Sequence, residues 1–193
     1  MGKGRCMMRE SRTGMLAVVA ALFAAAVWSG DAAPSRDSRM AWWREARFGM
    51  FVHWGLYSGL AGTWEGKPVA TNGGMEWIQQ RVKADTDTYA RCALPLFKPK
   101  PGFATTWAAL AKEAGCRYLV FTTKHHDGFA LFPSDVSDWD VADATPYKKD
   151  LITPLAKAAR RNGLKFGTYY SQAQDWTHPG GAKAGYKEGG SWD

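Results

Sequence analysis

The chain has 193 residues, 46% hydrophobic and 13% aromatic with ten tryptophans, a composition that excludes a disordered protein and bounds the folded part to one ordinary domain or a piece of one. Its formal net charge is +7, yet no run of Lys or Arg exceeds two, as at Lys148-Lys149 and Arg160-Arg161. With no one-sided basic stripe to follow a phosphate backbone, nucleic acid is excluded as an expected partner.

In chain order, Arg9 and Arg12 precede an apolar run over residues 15–28, and the small residues Gly30 and Ala32 follow. This pattern predicts a secretory signal peptide over residues 1–32, cleaved near Ala32. The run is shorter than the ~20 residues of a spanning helix, so no stable membrane insertion is expected after cleavage. The expected destination is the periplasm or the extracellular space. Export would bring Cys92 and Cys116 into an oxidising compartment, but two cysteines define no framework, and buried free thiols are expected.

Residues 33–41 read as a polar linker, and Trp42-Trp43-Arg44 opens the folded part, 42–193. A first strand is predicted over 48–53, then a long glycine- and threonine-rich loop over 55–74 carrying Trp64 and Glu65, with Glu76 and Trp77 just beyond it. A short helix over 87–94 and a turn at 99–102 lead to a helix over 104–114. There Trp107, Leu110, Ala111 and Ala114 share one face, and Gly115 ends the helix. The second strand, 117–123, is almost wholly apolar or β-branched, as expected when protein covers both of its faces. Asp150 can cap a helix that runs to Asn162 with Leu151, Leu155, Ala158 and Ala159 inward, and a third strand over 164–170 follows Gly163.

Strand, loop, helix, strand, loop, helix, strand is the grammar of a parallel sheet with right-handed crossovers. An open doubly wound sheet would place a glycine-rich phosphate turn after its first strand, where this chain has His53-Trp54-Gly55. Long aromatic loops after all three strands favour an α/β fold of the (β/α)8 TIM-like barrel type, with only the first three or so βα units present. A closed barrel takes about 250 residues, so the chain is expected to be the amino-terminal part of a larger enzyme.

The carboxyl ends of the three strands carry His53-Trp54, Thr123-Lys124-His125-His126-Asp127-Gly128 and Tyr169-Tyr170-Ser171, which predicts one shared pocket. The pair His125-His126 suggests no metal site, because neighbours in an extended segment point in opposite directions and no third ligand stands at a zinc-like spacing. Hydrogen bonding is the expected role, since a neutral imidazole offers one donor and one acceptor to a hydroxyl group. Trp54, Trp64, Trp77, Tyr169, Tyr170 and Trp176 lie at strand ends or in loops on the same expected face. Aromatic plates with short polar groups suit a sugar, which has apolar C–H faces and a ring of hydroxyls. Glu65, Glu76, Asp127 and Asp175 are also on that face, but spacing sets none of them as a catalytic pair. Asp127 beside Lys124 reads as a loop salt bridge, and Asp175 as a cap for the turn Trp176-Thr177-His178-Pro179.

At these residues the chain resembles the α-L-fucosidases of glycoside hydrolase family 29, over residues 42–181. The resemblance is carried by Arg47-Phe48-Gly49-Met50-Phe51-Val52-His53-Trp54-Gly55, Glu76-Trp77, Thr122-Thr123-Lys124-His125-His126-Asp127-Gly128-Phe129, and Tyr169-Tyr170-Ser171 with Asp175-Trp176. It implies a retaining hydrolase of terminal α-L-fucose, with His53, Glu76, Trp77, His125, His126 and Tyr169 contacting the sugar and no cofactor. It also implies that the nucleophile and the general acid lie beyond Asp193, so the segment alone is expected to be inactive. The alternatives are a non-catalytic fucose-binding protein and another glycosidase on the same barrel.

Overall fold

The computed structural model describes residues 35–70 and 74–178. The expected signal peptide, residues 1–32, and the glycine- and lysine-rich stretch 180–193 lie outside the described residues. The chain divides between Trp42 and Trp43 into two compact units, and apart from the start of helix α1 all that follows concerns the second.

The linker reading of 33–41 is corrected from Arg36 onward, because helix α1 spans Arg36–Ala46. Ser35 shows why: its Oγ accepts from the Ser38 N–H at 3.2 Å, and Asp37 stands in the first turn, where the helix dipole favours an acid. Arg, Met, Ala and Glu, all good helix formers, then dominate the sequence.

Strand β1 (Gly49–Val52) follows. The segment expected as an unbroken loop is instead built of short elements: α2 (Tyr57–Leu60), then a hairpin of β2 (Thr63–Trp64) and β3 (Lys67–Pro68). Glu65 (φ 48°) and Gly66 (φ 75°) form the hairpin's two-residue turn, the left-handed pair whose twist matches that of the strands. A 3-10 turn at Met75–Trp77 runs into α3 (Ile78–Val82). Helix α4 (Thr86–Ala93) is capped by Asp85, which accepts from the Thr88 N–H at 2.7 Å, and a 3-10 turn at Leu94–Leu96 closes it.

Two longer helices alternate with two longer strands: α5 (Phe103–Glu113), β4 (Tyr118–Lys124), α6 (Ile152–Arg161) and β5 (Lys165–Tyr170). Asp150 begins α6 as expected, accepting from the N–H groups of Ile152 and Thr153. Both helices end in the same motif. Cys116 N–H bonds Ala111 O and Gly115 N–H bonds Lys112 O, just as Leu164 bonds Ala159 and Gly163 bonds Arg160.

Strands β1, β4 and β5 form one parallel sheet in that order, with Met50 opposite Leu119 and Leu119 opposite Phe166. Pairing between β4 and β5 slips between Thr122 and Lys124, which bends the end of β4. Helices α5 and α6 pack on each other and on the face carrying Leu119 and Phe121, both fully buried with Ala108, Ala111, Leu155, Ala158 and Ala159. Burial along β4 therefore differs from the expectation, since Tyr118 and Val120 on the opposite face are only half-buried. The inward face of α5 is corrected too: Phe103, Ala104, Ala108 and Ala111 are buried, Trp107 is half-buried and Leu110 is exposed. Small residues at 104, 108 and 111 let α5 approach the alanines of α6, and that close contact outweighs burial of the larger Leu110. Leu151, Leu155, Ala158 and Ala159 point inward as expected.

Cys92 and Cys116 are both free thiols, the latter buried. Among the described residues, no helix is long and apolar enough to cross a membrane.

Candidate functional site

The carboxyl ends of the three parallel strands meet in one cluster. His53 follows β1, His125 and His126 follow β4, and Tyr169 is the penultimate residue of β5. The rings of His53, His125 and Tyr169 form a triangle with centroid separations of 5.6, 5.6 and 6.0 Å. His126 lies 4.1 Å from His125, and Trp77 meets His126 edge-on at 4.9 Å. Glu76 closes the group, with a carboxylate oxygen within 4.8 Å of donor atoms of His53 and His125. All six residues expected at the site are thus brought together, although the 3-10 turn holding Glu76 and Trp77 is remote in sequence from the strand ends.

The backbone at Gly74 sets where Glu76 can go. Its φ of 155° and ψ of 160° suit only glycine, and an added Cβ would collide with the Glu76 carboxylate.

Burial, with the neighbouring His126 and His53 adding to it, pushes the His125 imidazole down to about 3, so it is neutral at neutral pH. Burial likewise lowers His126 below the ordinary histidine value. The His126 ring is fixed by Ser171, whose Oγ lies 2.6 Å from Nδ1 and donates its own proton to Gln174 O. With that hydroxyl proton committed, Nδ1 carries the hydrogen, and Nε2 is left as an acceptor. The site therefore offers neutral donors and acceptors plus one half-buried carboxylate, beside the aromatic surfaces of Trp77, Tyr169 and Phe51, which lies 5.9 Å from Tyr169.

Three contributors join the six residues expected to contact the sugar, and one of them, Trp176, was already among the aromatic residues expected on this face. Tyr57, buried in α2, meets His125 edge-on at 5.6 Å; Ser171 orients His126; and Trp176 packs 5.5 Å from His126 and 5.6 Å from Trp77. Tyr57 had no local signal in its sequence. Ser171 and Trp176 stood in motifs already singled out, but nothing local joined them to His126. Two expected members leave the site: Trp54 packs into the core among Phe97, Phe103, Trp107 and Phe121, and Trp64 stacks on Tyr89.

Beneath the histidines the charges are partnered differently from the expectation. Lys124 pairs with Asp175, 51 residues away, and not with Asp127. Asp175 also caps the turn at Trp176 as expected, accepting from the Thr177 N–H at 3.1 Å and the Thr177 hydroxyl at 2.6 Å. Burial would raise Asp175, but these bonds and Lys124 hold it below the usual carboxylate value. Asp127 is buried and makes no salt bridge among the described residues, accepting from Tyr89 Oη at 3.1 Å and from the Phe129 N–H at 3.2 Å, and burial pushes it up to about 7 against the weaker pull of these bonds and of Lys124. Its backbone carbonyl accepts from Trp139 Nε1 at 2.9 Å. This network fixes the turn that displays His125 and His126.

The family model for alpha-L-fucosidase matches residues 23–189, most of the chain. The chain belongs to the alpha-L-fucosidase family. It is 37% identical to tissue alpha-L-fucosidase of Homo sapiens over 162 residues, covering 76% of this chain and 32% of that protein. Plasma alpha-L-fucosidase of Homo sapiens is 35% identical over 163 residues, with 75% and 32% covered. Unliganded alpha-L-fucosidase AlfC from Lactobacillus casei superposes with a TM-score of 0.71 at 44% identity, covering 81% of this chain and 48% of that structure. A bacterial fucosidase solved with an iminocyclitol inhibitor gives 0.67 at 37% identity, covering 77% and 33%. The chain spans about a third of the length of these curated relatives.

Proposed function

We propose that the complete protein is a retaining exo-glycosidase that removes terminal α-L-fucose from glycans. In this reading the present chain supplies the first three βα units of a (β/α)8 barrel and the wall of the site that grips the sugar. Support for the barrel comes from the sheet, whose parallel strands lie side by side in sequence order without the reversal of a doubly wound sheet. The observation that carries the function is the convergence of His53, Glu76, Trp77, His125, His126 and Tyr169 from four separate segments.

Fucose is an uncharged deoxy sugar with ring hydroxyls and a methyl group. Neutral imidazoles can donate to and accept from its hydroxyls, and Trp77 and Tyr169 can cover its C–H face. AlfC has been solved with α-L-fucose product and with Fuca(1,6)GlcNAc, which supports the same substrate class here. The nucleophile and general acid come, in this reading, from barrel units outside these residues. Export to the periplasm or beyond, directed by residues 1–32, belongs to the same proposal.

Ligand-observed NMR with the chain tests the binding half, and hydrolysis of 4-nitrophenyl α-L-fucopyranoside by the complete protein tests the catalytic half. L-Fucose binds and D-mannose does not; His125→Ala weakens fucose by about tenfold or more, the effect of one buried hydrogen-bonding group. Gly74→Ala, which touches no sugar, also weakens fucose about tenfold by displacing Glu76. No fucose binding by the chain, together with no hydrolysis by the complete protein, would falsify the reading.

A further inference from the structure

Helix α6 carries three cations, Lys157, Arg160 and Arg161, and no acid. Arg160 and Arg161 stand in its last turn, where the helix dipole favours positive charge. Lys157 has no such reason, and with Arg161 it makes a like-charge pair at i, i+4, which is mildly destabilising. Among the described residues neither side chain makes a hydrogen bond or an ion pair that would relieve the repulsion. Both cations line a cleft of about 300 Å3 between α5 and α6, and Phe103, Thr105, Tyr147 and Pro154 complete it. We propose that this cleft binds one acidic sugar unit, a hexose that carries a carboxylate or a sulfate group.

The lining residues point to that class. The guanidinium of Arg161 is a planar fork that matches a carboxylate or a sulfate, and Lys157, one helical turn away, adds a compact second charge. Tyr147 is half-buried, so it can offer a sugar ring an aromatic face with a hydroxyl at its edge. It is also held in place: its N–H bonds Thr145 Oγ1 at 3.2 Å, and that hydroxyl donates to Val141 O at 2.6 Å. Phe103 and Pro154 add apolar surface for C–H groups, and the exposed Thr105 adds a hydroxyl.

The volume stands at the lower end of the ~300–1,000 Å3 of small-molecule pockets, which admits a single sugar ring. Two cations are too few to follow a polyanionic backbone, in keeping with the lack of any longer basic run in the chain. None of the six residues of the fucose site lines the cleft, and both of its walls, α5 and α6, belong to this chain and pack on each other. Binding there is therefore independent of the fucose reading.

The test is calorimetry and ligand-observed NMR on the 193-residue chain with methyl β-D-glucuronide, glucose 6-sulfate, the uncharged methyl β-D-glucoside and sodium sulfate. At least one of the charged sugars binds, one per chain, about tenfold or more tightly than the glucoside and than sulfate alone; which of them binds identifies the acidic group. Lys157→Met and Arg161→Met each weaken that sugar about tenfold, whereas Arg160→Met, on the same helix but outside the cleft, changes it by less than about twofold. All three positions are exposed, and circular dichroism confirms that the variants fold. L-Fucose titrated against the same variants behaves as it does with the original chain, so the two readings fail separately. Absence of binding by both charged sugars, equal binding by the glucoside or by sulfate alone, or undiminished binding by Lys157→Met and Arg161→Met overturns the proposal.

Discussion

Replacing Lys124 with methionine lowers the unfolding free energy at neutral pH by about 3 kcal/mol, the cost of stranding one partner of a largely buried ion pair. Lys124 is 7% exposed, and its ammonium group pairs with Asp175 while lying 4.7 Å from the centre of the Tyr170 ring. Methionine keeps most of the aliphatic stem, so the loss falls on the charge and not on packing. Asp175 retains only its bonds to Thr177. Because Lys124 helps hold Asp175 below its ordinary value, this stabilisation is present above the unfolded carboxylate range, near pH 4, and is lost as pH falls through the depressed folded value. The difference between the two proteins in urea therefore narrows on acidification. The double variant Lys124→Met with Asp175→Asn recovers much of the loss, since it leaves no unpaired charge. A single variant as stable as the original at neutral pH would refute this account of the pair.

Asp127 predicts the opposite pH trend. Burial raises it to about 7, whereas in the unfolded chain it titrates near 3.9. Between those values the native state keeps a proton that the unfolded state has released, so stability is fully present below about pH 4 and declines as pH rises towards 7. The total is on the order of 4 kcal/mol, from a shift of about three units. Asparagine has nearly the same shape, can accept from the Phe129 N–H, can share a hydrogen bond with Tyr89 Oη, and cannot ionise. Asp127→Asn therefore gains on the original protein as pH rises from about 4 to about 8, measured as the difference in urea midpoints. Parallel pH profiles for the two proteins would rule out titration of Asp127 in this window. Asp127→Ala, which strands Tyr89 Oη and the Phe129 N–H, destabilises by about 2–4 kcal/mol below about pH 4, and this deficit shrinks as pH rises, as it does for Asp127→Asn.

Both predictions concern the layer beneath the histidines, and that layer was the least legible part of the chain. Lys124 sits three residues from Asp127, so a local salt bridge was the natural reading. Its partner is Asp175 because the end of β4 bends at the slip in register and the segment after β5 returns to cover it: Ser171 N–H bonds Lys124 O, and Trp176 N–H bonds His126 O. Trp54 and Leu110 failed for a related reason. Leu110 had the periodicity, and Trp54 the strand-end position, of a chosen face, but the packing of α5 and β1 against neighbours decided which way each pointed.

The sequence by itself determined the alternation of parallel strands and helices, the caps at Asp150, Gly115 and Gly163, and the six residues at the strand ends and in the Glu76-Trp77 motif. Those features depend on apolar runs, on turn chemistry and on motif identity, all of which are local. Only the tertiary structure decided that Glu76 faces His53 and His125, that Ser171 orients His126, and that Asp127 is buried and makes no salt bridge among the described residues. Each of those results depends on the distance between segments far apart in the chain, which is set when the two crossover helices pack against each other and against the sheet, not by any local pattern.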